Sequence, residues 1–238
     1  MSFKIVVDSC CDLTAQMRRE PCFVKVPLSI HSNGSIFVDD DTLDQADLLW
    51  AMKQSEDAPS TACPSPQAYL DAFQGDAEDI YVVTLSALLS GSHNSAEQAR
   101  VLLEEEHPEK NIHVFNSCSA SSGEVLAALK IQELASAGMP FKRVVREVEQ
   151  FIYQMQTLFV LESLENLRKN GRLTKAQAVI TGALRIKLLM GATPEGEICK
   201  LGQALSMKQA LSRLVDRIAA DPAHKGRTIA ICHCNCLD

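Results

Sequence analysis

The sequence predicts an α/β fold: two α/β domains, the first built on a mostly parallel, Rossmann-like sheet with a ligand crevice at the carboxyl ends of its strands. Three observations carry this. Apolar runs of strand length alternate with stretches of helical period, the pattern of βα units around a parallel sheet. Three of those runs end in hydroxyl-rich loops that lead into helices, as strands do at the carboxyl edge of an open sheet. The character of the sequence then changes at residue 157, which divides it into residues 1–156 and 157–238.

Composition narrows the class. With 238 residues, 46% hydrophobic, 22% charged and 5% aromatic, the chain can bury a sizeable aliphatic core and is not disordered. A formal net charge of −7 argues against binding nucleic acid or an anionic membrane. No run of 18 apolar residues occurs, and Met1-Ser2-Phe3-Lys4 leads straight into a strand, so a cytoplasmic protein without stable membrane insertion is expected. The nine cysteines then read as reduced thiols. Cys232, Cys234 and Cys236 would share one face of a continuous strand, a poor match to zinc spacing. No metal site and no cofactor is expected.

Taken in order, residues 3–8 form the first strand, followed by a short helix after Asp12. Residues 23–30 form the next, and Ser32-Asn33-Gly34-Ser35 turns the chain back through 36–38 as a hairpin. Thr42 is placed to cap a helix over 43–53, with Asp44 and Asp47 in its first turns. Pro59 breaks the pattern, and 60–66 reads as a loop with a cap before a helix from Pro66 to Phe73. Residues 80–85 are a buried strand feeding a helix over 92–105, and 111–115 repeats the move. Helices over 122–137 and 141–156 complete the first domain. In the second, the pattern predicts a strand over 158–161, a helix over 176–184, extended runs flanking Thr193-Pro194-Glu195-Gly196, a helix over 207–219 and a strand over 228–232.

The strand-end loops are Asp8-Ser9-Cys10-Cys11-Asp12, Leu85-Ser86-Ala87-Leu88-Leu89-Ser90-Gly91-Ser92-His93 and Phe115-Asn116-Ser117-Cys118-Ser119-Ala120-Ser121-Ser122-Gly123. Hydroxyls and helix N-termini suit a small anion, but none of the three loops contains Lys or Arg, and no G-x-G-x-x-G or P-loop motif occurs. A monocarboxylate fits better than a di- or triphosphate. The plainer reading, in which these serines only cap helices, stands beside it. Residues 166–194 hold Arg168, Lys169, Arg172, Lys175, Arg185 and Lys187 with no acid, in a chain that otherwise leans acidic. Such a run is a solvated face or a surface that steers an anionic partner.

With these residues in view, the sequence resembles the DegV family of fatty-acid-binding proteins. The match runs through Asp8-Ser9-x-x-Asp12-Leu13, Val26-Pro27-Leu28, Ser60-Thr61-x-x-Pro64-Ser65-Pro66, Leu85-Ser86-x-x-Leu89-Ser90-Gly91-Ser92, Asn116-Ser117-x-Ser119-Ala120 and Asn170-Gly171-Arg172-Leu173-Thr174. The resemblance implies a non-catalytic protein that buries one long-chain fatty acid between its domains. It implies a carboxylate held at Thr61, Ser90, Gly91 and Ser92, with Ser9, Ser86, Ser117 and Ser119 as further head-group loop residues. It also implies a partner, the catalytic subunit of fatty acid kinase, which forms the acyl phosphate for phospholipid synthesis, and Arg172 as the docking residue. Ala87 and Leu88 depart from the family's usual Ser and Gly, and Asn170 from its Gly. The family continues beyond residues 228–232 through a helix and a strand with a His-x-Gly-Pro-type motif, so the second domain is expected to be truncated.

Two other readings stay open. One is a serine or cysteine hydrolase acting on an acyl substrate, with Ser90 or Cys118 as nucleophile and His93 or His113 as base, although no G-x-S-x-G elbow occurs. The other is a carrier of another apolar carboxylate that works without a kinase.

Overall fold

The structure, a computed structural model, describes residues 2–173 and 186–234. Among them are ten strands and seven helices, in two compact units. The first unit runs to Met155 and takes in the chain again from Ala230, while the second is Gln156–Ile229. No described helix is long and apolar enough to cross a membrane.

In the first unit, β1 (Phe3–Asp8), β2 (Phe23–Val26), β6 (Asp79–Thr84) and β7 (Asn111–Asn116) form a parallel sheet in the order β2-β1-β6-β7. The chain leaves β1 to one side and returns to its other side at β6, so the two strands flank a topological switch point. Two-residue periodicity sends alternate side chains to opposite faces. Ile5, Val7, Tyr81, Val83 and Phe115 pack against α4 (Ser122–Ser136) and α5 (Phe141–Gln154). Val6, Ile80, Val82, Ile112 and Val114 pack against α2 (Pro66–Phe73) and α3 (Ser92–Glu106). The helices answer with helical spacing: Ala96, Ala99 and Leu103 are buried on α3, and Val144, Val148 and Ile152 on α5.

A smaller antiparallel sheet has the order β4-β3-β5, from β3 (Ser29–Ser32), β4 (Ser35–Val38) and β5 (Ser60–Ala62). Asn33 and Gly34 have φ of 50° and 74°, the left-handed pair that a two-residue hairpin of matching twist needs. The single strand expected over 23–30 is two strands in two sheets. Pro27, without an N–H, cannot continue the ladder, so β2 stops at Val26 and β3 starts at Ser29. The loop expected at 60–62 is β5, with Thr61 opposite Ile30. Asp44 caps α1 (Gln45–Gln54), its Oδ1 accepting from the N–H groups of Ala46 (2.8 Å) and Asp47 (3.2 Å). Thr42 instead donates its hydroxyl to Asp40 (2.6 Å), since a carboxylate is the better acceptor at a helix N-terminus. The helix after Asp12 is a single 3-10 turn, Met17–Arg19.

The second unit holds an antiparallel sheet in the order β10-β9-β8, from β8 (Leu158–Val160), β9 (Lys187–Ala192) and β10 (Ile198–Ala204), covered by α7 (Met207–Ala220). A Cβ at Gly191 would lie 2.7 Å from Leu201 Cδ1 and 2.8 Å from the Thr157 carbonyl, so only glycine lets β8 and β10 close on β9 there. A short helix that the periodicity did not announce, α6 (Glu165–Lys169), ends in a Schellman turn. Gly171 has φ 72°, and the N–H of Arg172 bonds the Leu167 carbonyl at 2.9 Å. Residues 228–232 are not a strand, because no described strand pairs with them. The shared face expected for Cys232 and Cys234 goes with it, and both are exposed. The helix expected over 176–184, Thr174, Lys175, Arg185 and Cys236 lie outside the described residues.

Two changes test this packing by denaturant unfolding. Leu103→Ala, fully buried against the sheet, should cost about 2–5 kcal/mol, and Asp44→Ala about 1 kcal/mol. A loss below about 1 kcal/mol at Leu103 would contradict the packed α3 face.

Candidate functional site

At the switch point the loops after β1, β6 and β7 meet. Their common element is Asp8, the last residue of β1, with no exposed surface. Its Oδ2 accepts from the Ser92 hydroxyl (2.5 Å) and the Leu85 N–H (2.9 Å), and its Oδ1 accepts from the Cys10 N–H (3.1 Å). A hydrogen bond links it to the carboxyl of Glu124, which enters from α4 and is also fully buried. Glu124 Oε1 accepts from the Ser121 N–H (3.2 Å), while Oε2 is buried and has no donor. Two adjacent carboxylates cannot both stay ionised without water or a cation. Burial, and then the charge of Asp8, push Glu124 well above the usual carboxylate range; burial also raises Asp8, against the pull of its donors. Three donors converge on Asp8 and one on Glu124, so the retained proton is assigned to Glu124.

Ser92 is wholly committed to this cluster. Its proton goes to Asp8, and its oxygen is 2.6 Å from the Tyr69 hydroxyl, which must be the donor. The Ser92 N–H donates to Ser90 Oγ at 3.2 Å. That bond uses a lone pair of Ser90 and leaves its hydroxyl proton to point elsewhere; an oxygen that accepts in this way is also a better donor. Gly91, the residue before α3, has no side chain to cap it, and the first helical N–H, that of Ser92, is taken by Ser90. A Cβ on Gly91 would come within 3.0 Å of Cys63 Sγ, which also lies 3.9 Å from Ser95 Oγ. The chain leaving β5 therefore crosses the start of α3, bringing the Thr61 segment to the Ser90 loop.

The other serines mostly close their own loops. Ser9 Oγ accepts from the Leu28 N–H (3.0 Å), beside the break at Pro27. Ser117 Oγ accepts from the Ser119 N–H and donates to the Ser119 carbonyl, both at 3.1 Å. Ser86 is buried, with its N–H on the Ser119 carbonyl (2.9 Å), and its own carbonyl anchors the Leu89 and Ser90 N–H groups. In the β7 loop, Cys118 and Ser121 take φ of 49° and 55°, uncommon for residues with a Cβ and costing on the order of 1–3 kcal/mol each. Asn116 Oδ1, which accepts from the Cys118 N–H (3.1 Å), and Asp12, which accepts from the Ser121 hydroxyl (2.5 Å), hold them there.

Among the described bonds, neither imidazole is paired with Ser90. His93 Nδ1 lies on the Thr84 hydroxyl (3.2 Å) and His113 Nε2 on Glu149 (3.2 Å), whereas the Ser90 hydroxyl is engaged by the Ser92 N–H. Burial lowers both imidazoles, and burial raises the thiols of Cys10 and Cys11. The basic segment is also less basic than its sequence window. Arg168 (2.7 Å) and Lys169 (3.7 Å) pair with Glu165, and Lys187 pairs with Glu162, two acids just upstream of the window. Arg172 is half-buried behind the Schellman turn.

Asp8, Tyr69 and Glu124 were not among the residues singled out for the site. The Ser121-x-x-Glu124 spacing of a capping box was a readable signal for the last, though not for its burial beside Asp8.

The acid pair makes stability pH-dependent. Because the folded pair keeps a proton that the unfolded chain releases near the ordinary carboxylate value of 4.5, stability should fall as pH rises above it. Between pH 5 and 7 the wild type should lose up to about 1.4 kcal/mol per pH unit relative to Glu124→Gln, read from urea unfolding. Parallel profiles for the two proteins would contradict a protonated Glu124.

Known proteins resemble this chain in sequence and in fold. A DegV domain-containing protein of Streptococcus pyogenes is 38% identical over 235 residues, which are 98% of this chain and 83% of that protein. A solved DegV-family structure from Ruminococcus gnavus, with vaccenic acid, is 50% identical with a TM-score of 0.87, covering 93% of this chain and 79% of that one. The B3 protein of Streptococcus pneumoniae fatty acid kinase, loaded with linoleic acid, is 37% identical with a TM-score of 0.85, covering 92% and 78%. The family model described as "Uncharacterised protein, DegV family" matches residues 2–238, and the chain belongs to the DegV family.

Proposed function

We propose that this protein binds one long-chain fatty acid in the cytoplasm and presents its carboxylate to a partner kinase for acyl-phosphate formation, without itself catalysing the transfer. The observation that carries the reading is the relative at 50% identity whose structure holds vaccenic acid. The kinase step is supported by the 37% identical relative, a component of fatty acid kinase.

The geometry is compatible in three respects. Ser90 keeps a hydroxyl proton at the start of α3, and the chain two residues past Thr61 crosses the same helix start at Cys63. The donors are neutral, which suits a monoanion better than a polyphosphate. In this reading Ser90, Thr61 and the Gly91 backbone meet the carboxylate, while Ser92 acts by holding Ser90. A tail of about sixteen carbons contributes on the order of 11 kcal/mol of gross transfer free energy at about 0.8 kcal/mol per CH₂, so the tail supplies affinity. The head group has to avoid a desolvation cost of several kcal/mol, which the donors offset. Arg172 is proposed to serve the partner kinase.

Native mass spectrometry of protein purified without detergent should release a long-chain monocarboxylic acid. Ser90→Ala removes one hydrogen bond to a charged group and should weaken acid retention or kinase-dependent turnover by roughly tenfold or more. Unchanged retention and turnover would remove Ser90 from the site. Arg172→Glu should leave lipid content intact and abolish kinase coupling; loss of both would make this arginine a structural or head-group residue.

A further inference from the structure

We propose that Asp8, Glu124 and Tyr69 form a buried one-proton clamp that positions the Ser90 hydroxyl through Ser92, an inference that rests on the carboxylate-site reading of Ser90 above. Glu124 is fully buried beside Asp8 with Oε2 unpartnered, Asp8 accepts from the Ser92 hydroxyl at 2.5 Å, and the Ser92 N–H donates to Ser90 Oγ at 3.2 Å. Tyr69 adds a second constraint on Ser92 at 2.6 Å.

Donor direction is determined at each link. An ionised carboxylate only accepts, so the single proton of Ser92 lies on Asp8. The remaining lone pairs of Ser92 then take the Tyr69 proton. With both constraints set, the Ser92 backbone meets Ser90 through its N–H, and that bond leaves the Ser90 proton for another acceptor. Asp8, Tyr69, Ser92 and Glu124 are each 0% exposed, so no solvent competes for these bonds.

The cluster is a costly way to fill a core. Apolar residues of similar volume commonly serve stability as well as or better than a buried ionic group. Its position supports a different role, since it joins β1, the β6 loop, α2, α3 and α4 directly behind the Ser90 turn. The other titratable groups acting on the pair, Asp12, Cys10, Cys11 and Tyr69, bring only negative or neutral charge. Among the described residues no cation pairs with either carboxyl. Loss of the Glu124 proton would leave two carboxylates facing each other, so one protonation state is maintained and with it one orientation of Ser92.

Two measurements on the full chain decide this. In ¹³C-carboxyl-labelled protein, Glu124, assigned by comparison with Glu124→Gln, should give a protonated-carboxyl signal at pH 7, and Asp8→Asn should shift its titration toward lower pH. On delipidated protein with palmitate as probe, Tyr69→Phe should weaken binding about three- to tenfold, in line with the loss of one buried hydrogen bond. Glu124→Leu should weaken it about tenfold or more, and Glu124→Gln, whose amide can donate to Asp8, should recover most of that loss. Should Glu124→Leu fail to fold, Tyr69→Phe and the carboxyl signal still decide. A Glu124 signal that titrates in the ordinary carboxylate range overturns the clamp. Wild-type affinity in Tyr69→Phe, in a protein where Ser90→Ala binds weakly, overturns the clamp and leaves the carboxylate site standing. Absence of palmitate binding by the wild type overturns the carboxylate site and the positioning role with it, whatever the Glu124 signal.

Discussion

Asp8 ends an interior strand with no exposed surface, and the donors that meet it decide where the surrounding loops can lie. A buried carboxylate without such donors costs several kcal/mol, so β1 can end in one only if the β6 loop turns its Leu85 N–H inward and α3 begins where Ser92 reaches back. The positions of Ser90 and Gly91 follow from that start. The apolar strands behind, buried on both faces by α2 and α3 on one side and α4 and α5 on the other, make this end rigid.

The same constraint divides the serines. Eight serines stand in the loops at the switch point and read alike in sequence, yet the structure gives them different work. Ser9 and Ser117 stabilise their own turns, Ser92 carries the link to Asp8, and Ser90 is left with a proton to offer. Charge shows a similar division. Three of the cations in the segment that looked basic pair with Glu162 and Glu165.

Much of the fold was legible because its signals are local. The buried runs of β1, β6 and β7, the Asn33-Gly34 hairpin and the apolar spacing of α3 and α5 need only a window of a few residues. What was missed needed partners. Pro27 looked like an interruption within one strand and is the point where the chain changes sheets. Thr42 and Asp44 both suit a helix cap, and the choice rested on which acceptor reached the first turn. Residues 228–232 have strand periodicity but no ladder partner among the described residues. Glu124 looked like an ordinary first-turn acid, since nothing in its neighbourhood in sequence reveals that Asp8 lies against it.

The account centres on a carboxylate held by Ser90 at the start of α3. The most direct measurement is a crystal structure of the protein grown with a long-chain fatty acid. The acid's carboxylate should lie within hydrogen-bond distance of Ser90 Oγ, about 2.5–3.0 Å, with Ser92 still bonded to Asp8. A carboxylate bound elsewhere, with Ser90 Oγ turned away from it, would contradict the account.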